Sequence, residues 1–326
     1  MHTNSIAFAP ISSREPAASP ERGDAGRHCV QRRFEAFRWR DESILATVHL
    51  PERRAARAAV ACVLVNSGPA PRAGNGDLST RIADRVAAVG IPAMRMDFPG
   101  IGDSTGDSFK HIDHFRRAAQ EAPLDDLLAD VVEQFCGHHR VEQVVVGGLC
   151  AGAVIAVRGA RRMGSRCAGL ILLEPDFVDA RIAAGIDRAG IRARVERVLR
   201  GLARRRWSRS TARILRPLYE RLDRGRTPGG VAREAVDAWI RLADSQVPTF
   251  LGVADGLSCD GLCSRIARAS RIECRRVTVE ELERDPISQR VLVTCCPVRD
   301  TNHLLTEGDG PVVVARALAA WVRRFA

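Results

Sequence analysis

The 326-residue sequence predicts an α/β fold, a mostly parallel sheet covered on both faces by helices. Three observations carry this expectation. Short, mostly apolar runs recur at 58–65, 91–98, 141–147 and 168–173, the first and third rich in valine, the pattern of strands buried on both faces. Amphipathic stretches with helical spacing lie between them, and strand and helix patterns alternate along the chain. The strand ends run into glycine- and proline-rich turns, as at 66–76 and 99–104.

The elements follow in order. Residues 1–34 read as a flexible leader, because their Arg, Glu, Pro, Ser and Asp content offers little to bury. Segment 43–50 contains β-branched residues with partial apolar alternation, as in one strand of an early hairpin, and Pro51 ends it. In 77–89, Leu78, Ile82, Val86 and Val89 share one helical face, and Gly90 is a natural stop. A second helix, 123–138, places Leu124, Leu127, Leu128, Val131, Val132 and Phe135 on its apolar side. Strands resume at 247–253, 275–279 and 291–294, and a final helix spans 311–325 with Val314, Leu318, Trp321 and Val322 facing the core. Between 177 and 246 the alternation pauses in an arginine-rich, helix-like stretch. We therefore expect a core of 35–176 and 247–326 carrying an inserted helical cap at 177–246.

Composition narrows the function classes. Apolar residues make up 45% of the chain, no run is long enough to span a membrane, and 1–27 lack a secretory signal pattern. A cytoplasmic location with reduced cysteines is the expectation. Of ten cysteines, Cys62, Cys136 and Cys167 fall inside apolar periodic segments, where buried free thiols are ordinary. Cys259, Cys263, Cys295 and Cys296 have the wrong spacing for a chelating set, so no metal is expected. The formal charge of +11 rests on arginine, Lys110 being the single lysine. So one-sided a choice resembles coding bias more than a binding surface. The excess in 192–226 could still attract an anionic or carrier-bound substrate, but no motif for nucleic acid accompanies it.

The chemistry centres on Gly148-Leu149-Cys150-Ala151-Gly152. A reactive side chain on a sharp strand-to-helix turn needs small neighbours, because the turn brings the backbones close together. Gly148 and Gly152 provide that room after a valine-rich strand and before a small-residue helix. The helix beginning near Ala151 lends its free N–H groups and dipole to a thiolate. The plain alternative is an inert buried cysteine in a tight turn. Of the eight histidines, His303, between the last strand and the last helix, best fits a base for Cys150. His111 and His114 share a helical face without a third ligand. The carboxylate that would orient His303 is Asp255, directly after an apolar strand, with Asp176 as the alternative acid. A simple Asp-Gly turn is the bland reading of Asp255.

These residues resemble the α/β-hydrolase superfamily, and within it the S33-like and exosortase-system-associated hydrolases, over roughly 43–326. The marks are Asn66-Ser67-Gly68-Pro69, the turn Asp97-Phe98-Pro99-Gly100-Ile101-Gly102-Asp103-Ser104, the elbow, and the order Cys150, Asp255, His303. Serine is commoner at the elbow; cysteine there resembles dienelactone hydrolases and polyhydroxyalkanoate synthases. The resemblance implies an oxyanion hole with one donor at the Ala151 N–H. A second would come from Ala70 or Gly68, since Pro69 has no N–H. It implies a structural brace at Asp97, Gly100, Gly102, Asp103 and Ser104, whose glycines lack the phosphate-loop lysine pattern. No cofactor is implied. The expected reaction is hydrolysis of a small-molecule ester or thioester through a cysteinyl-acyl intermediate. Transfer of the acyl group to an alcohol or amine is one alternative, and a noncatalytic binding protein is another. Oligomeric state is not legible.

Overall fold

The apolar runs and amphipathic stretches become strands and helices in a computed structural model that describes residues 30–52, 58–65, 67–109, 114–115, 118–119, 124–175, 233–254, 274–284 and 291–325. Among these residues the strands are β1 (Gln31–Trp39), β2 (Glu42–Leu50), β3 (Ala58–Val65), β4 (Ala93–Met96), β5 (Val141–Leu149), β6 (Cys167–Leu173), β7 (Thr249–Ala254), β8 (Cys274–Arg276) and β9 (Val293–Val298). They form one sheet in the order β1-β2-β4-β3-β5-β6-β7-β9-β8. The pairs β1–β2 and β2–β4 are antiparallel, and every pair from β4–β3 onward is parallel.

The described helices are α1 (Leu78–Ala88), α2 (Leu124–His139), α3 (Ala151–Met163), α4 (Arg233–Asp244), α5 (Val279–Arg284) and α6 (Gly310–Val322). They cover the sheet from both sides. Leu128, Val132, Ile155 and Trp239, from α2, α3 and α4, pack into one core. Ile82, Val86, Leu318 and Trp321, from α1 and α6, pack into the other. Two-sided burial explains why the parallel strands read as continuous apolar runs instead of alternating ones.

Two boundaries differ from expectation. Strand β1 begins at Gln31, inside the stretch assigned to a leader, and pairs in register with β2 from Gln31 opposite Leu50 to Trp39 opposite Glu42. Its first half is exposed and polar, so it carries no apolar signature. Helix α4 falls inside the 177–246 cap yet belongs to the core. Ala235, Ala238, Trp239, Leu242 and Ala243 are buried, and the Trp239 indole N–H donates to Thr249 Oγ1 on β7 at 3.0 Å. The leader residues 1–29, core residue 176 and cap residues 177–232, including the arginine-rich 192–226, lie outside the described residues.

A polar knot interrupts the sheet where β2, β4 and α1 meet. His49 is fully buried; its Nδ1 lies 2.8 Å from Asp84 Oδ1, and its Nε2 accepts from Arg95 Nε at 2.8 Å. Arginine Nε can only donate, so the proton of the neutral ring sits on Nδ1 and goes to Asp84. Arg32 Nε also donates to Asp84, at 3.0 Å. Burial lowers the His49 pKa, the Asp84 hydrogen bond opposes that, and the Arg95 charge reinforces it.

Cys62, Cys136 and Cys167 are buried free thiols, and burial pushes Cys62 and Cys167 up to about 12. Cys295, by contrast, is disulfide-bonded, against the expectation of reduced cysteines throughout. Cys296 is buried with its thiol pushed up to about 12. No helix among the described residues is long and apolar enough to cross a membrane.

Candidate active site

Strand β5 stops at Leu149 and α3 starts at Ala151, so Cys150 alone makes the turn. It does so at φ 58° and ψ −119°, a conformation that side chains other than glycine rarely adopt. The surroundings hold it there. The Cys150 N–H donates to Leu173 O on β6 at 2.8 Å, and Ala153 N–H donates to Cys150 O at 3.1 Å. A Cβ at Gly148 would sit 2.8 Å from the Gly152 carbonyl carbon, which explains why the strand and helix need glycines where they cross. Cys150 is half-buried at the sheet's carboxyl edge, and Ala151 is buried in the first turn of α3, where backbone N–H groups have no intrahelical partner.

His303 comes from the loop after β9. Asn302 shapes that loop: its Oδ1 accepts from Leu304 N–H at 3.0 Å and Thr306 N–H at 3.1 Å, bridging the histidine on both sides. Leu305, at φ 56°, is fully buried and anchors the loop to the core. The His303 side chain stays 54% exposed, with Nδ1 3.0 Å from Glu174 Oε2. The ring also hydrogen-bonds Cys150. With Nδ1 committed to the carboxylate, the other ring nitrogen is left for the sulfur.

Glu174 directly follows β6 and is 11% exposed. Its backbone turns at φ 42°, its N–H donates to Gly252 O at 2.9 Å, and its Oε1 accepts the Ala254 N–H. One carboxylate oxygen is therefore tied to β7 while the other faces His303. The hydrogen bond to Cys150, followed by that to Glu174, pushes the His303 pKa up to about 10, and burial only partly opposes them. A charged imidazole between a sulfur and a carboxylate is the favoured state.

Glu174 was not singled out from the sequence as the acid. Asp255 and Asp176, the residues expected in that role, both lie outside the described residues, as does Asn66. The readable signal for Glu174 was its place immediately after a buried strand, the same signal that favoured Asp255.

The other expected positions fall in the loop after β3 and the turn after β4. Val65 on β3 is in register with Gly148 on β5, so the loop carrying Gly68 and Ala70 leaves the sheet beside Cys150. Gly68 is buried at φ 65°. The turn after β4 is tied to its neighbours by side chains. Ser104 Oγ donates to Asp97 O at 3.1 Å and accepts from Leu45 N–H at 2.8 Å. Gly102 has φ 58°, and a Cβ there would overlap the Asp97 carboxylate. Gly100, at φ 68°, is similarly crowded by Asp107 backbone. Asp103 reaches Arg72 at 2.8 Å.

The family model described as "Alpha/beta hydrolase family" matches residues 62–323. The chain belongs to the alpha/beta hydrolase family. Solved structures agree on the fold. DcsB, solved in complex with its substrate analogue, is 13% identical at a TM-score of 0.52, covering 90% of this chain and 99% of its own. A haloalkane dehalogenase loop variant from Bradyrhizobium elkanii is 17% identical at a TM-score of 0.51, covering 90% and 97%. No curated protein shows a significant match in sequence.

Proposed function

We propose that this alpha/beta hydrolase cleaves a small-molecule ester or thioester through an acyl group held on Cys150, with His303 moving the proton and Glu174 orienting His303. Family membership supports ester or thioester hydrolysis or a related activity at the coarse level. The observation that carries the finer reading is His303 hydrogen-bonded to both Cys150 and Glu174 beside a strained strand-to-helix turn. It is also in keeping with the subgroup resemblance to S33-like and exosortase-system-associated hydrolases.

In the reaction, the Cys150 thiolate adds to the substrate carbonyl carbon and the carbonyl π electrons move to oxygen. The Ala151 N–H, with Gly68 or Ala70 as the second donor, stabilises that oxyanion. Collapse re-forms the carbonyl and breaks the bond to the alcohol or thiol, which leaves with the proton from His303. The neutral imidazole then takes a proton from water as the water oxygen attacks the thioester. Cys150 departs as thiolate beside a recharged His303. Glu174 keeps the proton on Nδ1 throughout, so that the other ring nitrogen faces the reacting atoms.

The test is intact-mass detection of an acyl adduct after exposure to aryl esters and acyl thioesters. The parent should gain one acyl mass, Cys150→Ala none, and His303→Ala far less at equal time. An adduct that persists in Cys150→Ala would overturn the assignment, as would a parent that no donor modifies. Added alcohols or amines report whether water is the final acceptor, since acyl products formed from them would mark a transferase.

A further inference from the structure

The loop between β3 and α1 carries the second oxyanion donor but has little regular structure of its own. Its two ends are clipped together by a hydrogen bond from Asn75 Nδ2 to Ser67 Oγ at 3.0 Å. The middle is fixed elsewhere, by Arg72. The Arg72 backbone N–H donates to Asp97 Oδ1 at 2.5 Å, and its guanidinium pairs with Asp97 Oδ2. The same guanidinium reaches Asp103 Oδ2 at 2.8 Å and donates from Nε to Thr47 Oγ1 at 2.9 Å. Arg72 is largely buried, Asp97 fully so, and the guanidinium packs against β2 and the turn after β4.

Resting on the mechanism above, we propose that Arg72 is a positioning residue: it pins the arch of residues 68–71 to the turn after β4 and so holds the second oxyanion donor in place. Two anchors, the Ser67–Asn75 clip and the Arg72 pin, bracket the stretch that contains Gly68 and Ala70. A planar guanidinium is needed because it meets Asp97, Asp103 and Thr47 in different directions at once, which an ammonium on a flexible stem does not reproduce. Arg72 contacts neither Cys150 nor His303 among its recorded partners, so its removal should leave the sulfur's nucleophilicity intact while loosening the oxyanion site.

That separation sets the test. Arg72→Lys is compared with the parent in two reactions at Cys150: acylation by an aryl ester, which develops an oxyanion, and alkylation by iodoacetamide, which does not. Acylation should slow by roughly 10- to 100-fold, as expected for a donor misplaced by a fraction of an ångström to an ångström, with the loss in kcat rather than KM. Alkylation should stay within about twofold, and a tetrahedral carbonyl mimic should lose affinity in step with the acylation rate. Equal acylation in Arg72→Lys and parent would overturn the proposal, as would acylation and alkylation falling together. Should Arg72→Lys fail to fold, Asp103→Ala, at a 71% exposed side chain, removes one anchor. It should slow acylation severalfold without changing alkylation, and no change would count equally against the pin. A parent that no aryl ester acylates would overturn the nucleophile itself, a distinct result.

Discussion

Two histidine–carboxylate pairs lie in this molecule at similar distances and behave in opposite ways. His49 Nδ1 is 2.8 Å from Asp84, and His303 Nδ1 is 3.0 Å from Glu174. Burial drives the first imidazole's pKa down, whereas Cys150 and then Glu174 raise the second to about 10. The carboxylate is common to both, so it does not decide the outcome. Burial, complete at His49 and only partial at His303, decides it together with the other ring nitrogen. In His49 that nitrogen faces the Arg95 donor, which forbids a second proton; in His303 it faces the Cys150 sulfur, which accepts the ring N–H. A cation makes the first pair a fixed strut. A nucleophilic sulfur, as proposed above, makes the second a proton carrier.

The largest effect that would break this comparison is expected at Glu174. Its two oxygens serve two donors, the Ala254 N–H and the His303 ring. Glutamine has one acceptor oxygen and must abandon one of them. Glu174→Gln should lower kcat/KM by about ten-thousandfold, as loss of the orienting acid does in serine triads, with little change in melting temperature. Asp255→Asn should cost far less. A larger loss from Asp255→Asn would return the orienting role to the residue favoured by the sequence.

At the strut the readout is stability. His49→Ala strands the Arg95 donor inside the sheet and removes a partner of Asp84, so unfolding in denaturant should show a loss of about 3 kcal/mol. Acyl-adduct formation by the folded fraction should be unchanged. A variant that keeps its stability but loses acylation would mean that the two pairs communicate.

The smallest effect is the pH dependence, and its sign differs between the pairs. His303 binds its proton more tightly folded than unfolded, so its contribution is complete below its ordinary pKa near 6.5. It fades as pH rises through about 10. His49 has a depressed folded pKa, so its contribution is present above about 6.5 and is lost as pH falls through the lower folded value. Denaturation midpoints across pH should show His303→Gln flattening the alkaline side and His49→Gln the acid side. The same side affected in both variants would contradict the assignment of proton positions.

The sequence revealed these regions unequally, and the reasons are physical. Cys150 was legible because an elbow is local: glycines two residues either side of the nucleophile meet in space as directly as in the chain. His303 was legible from its place between the last strand and last helix. Glu174 was not, because strands β6 and β7 both end in acid-bearing turns, and the choice depends on a backbone bend at φ 42° that points one carboxylate across the sheet. The other strand of the expected hairpin, β1, was not placed because only Phe37 and Trp39 of its nine residues are buried. Helix α4 was absorbed into the arginine-rich stretch before it, although Ala235, Ala238, Trp239 and Leu242 carry the 3.6-residue repeat of a core helix.

The hydrogen bond from Cys150 N–H to Leu173 O has a mechanical meaning. Leu173 is the residue before Glu174, so sulfur and carboxylate are mounted on one welded joint of the sheet and travel as a single body. The third member rides separately, on a loop that turns at Asp300 and Leu305, both in left-handed backbone conformations. The trio thus has one adjustable coordinate, the distance of the imidazole from a fixed baseline. Tuning this catalyst, by selection or by design, amounts to choosing how stiffly Asn302 and Leu305 hold that one arm.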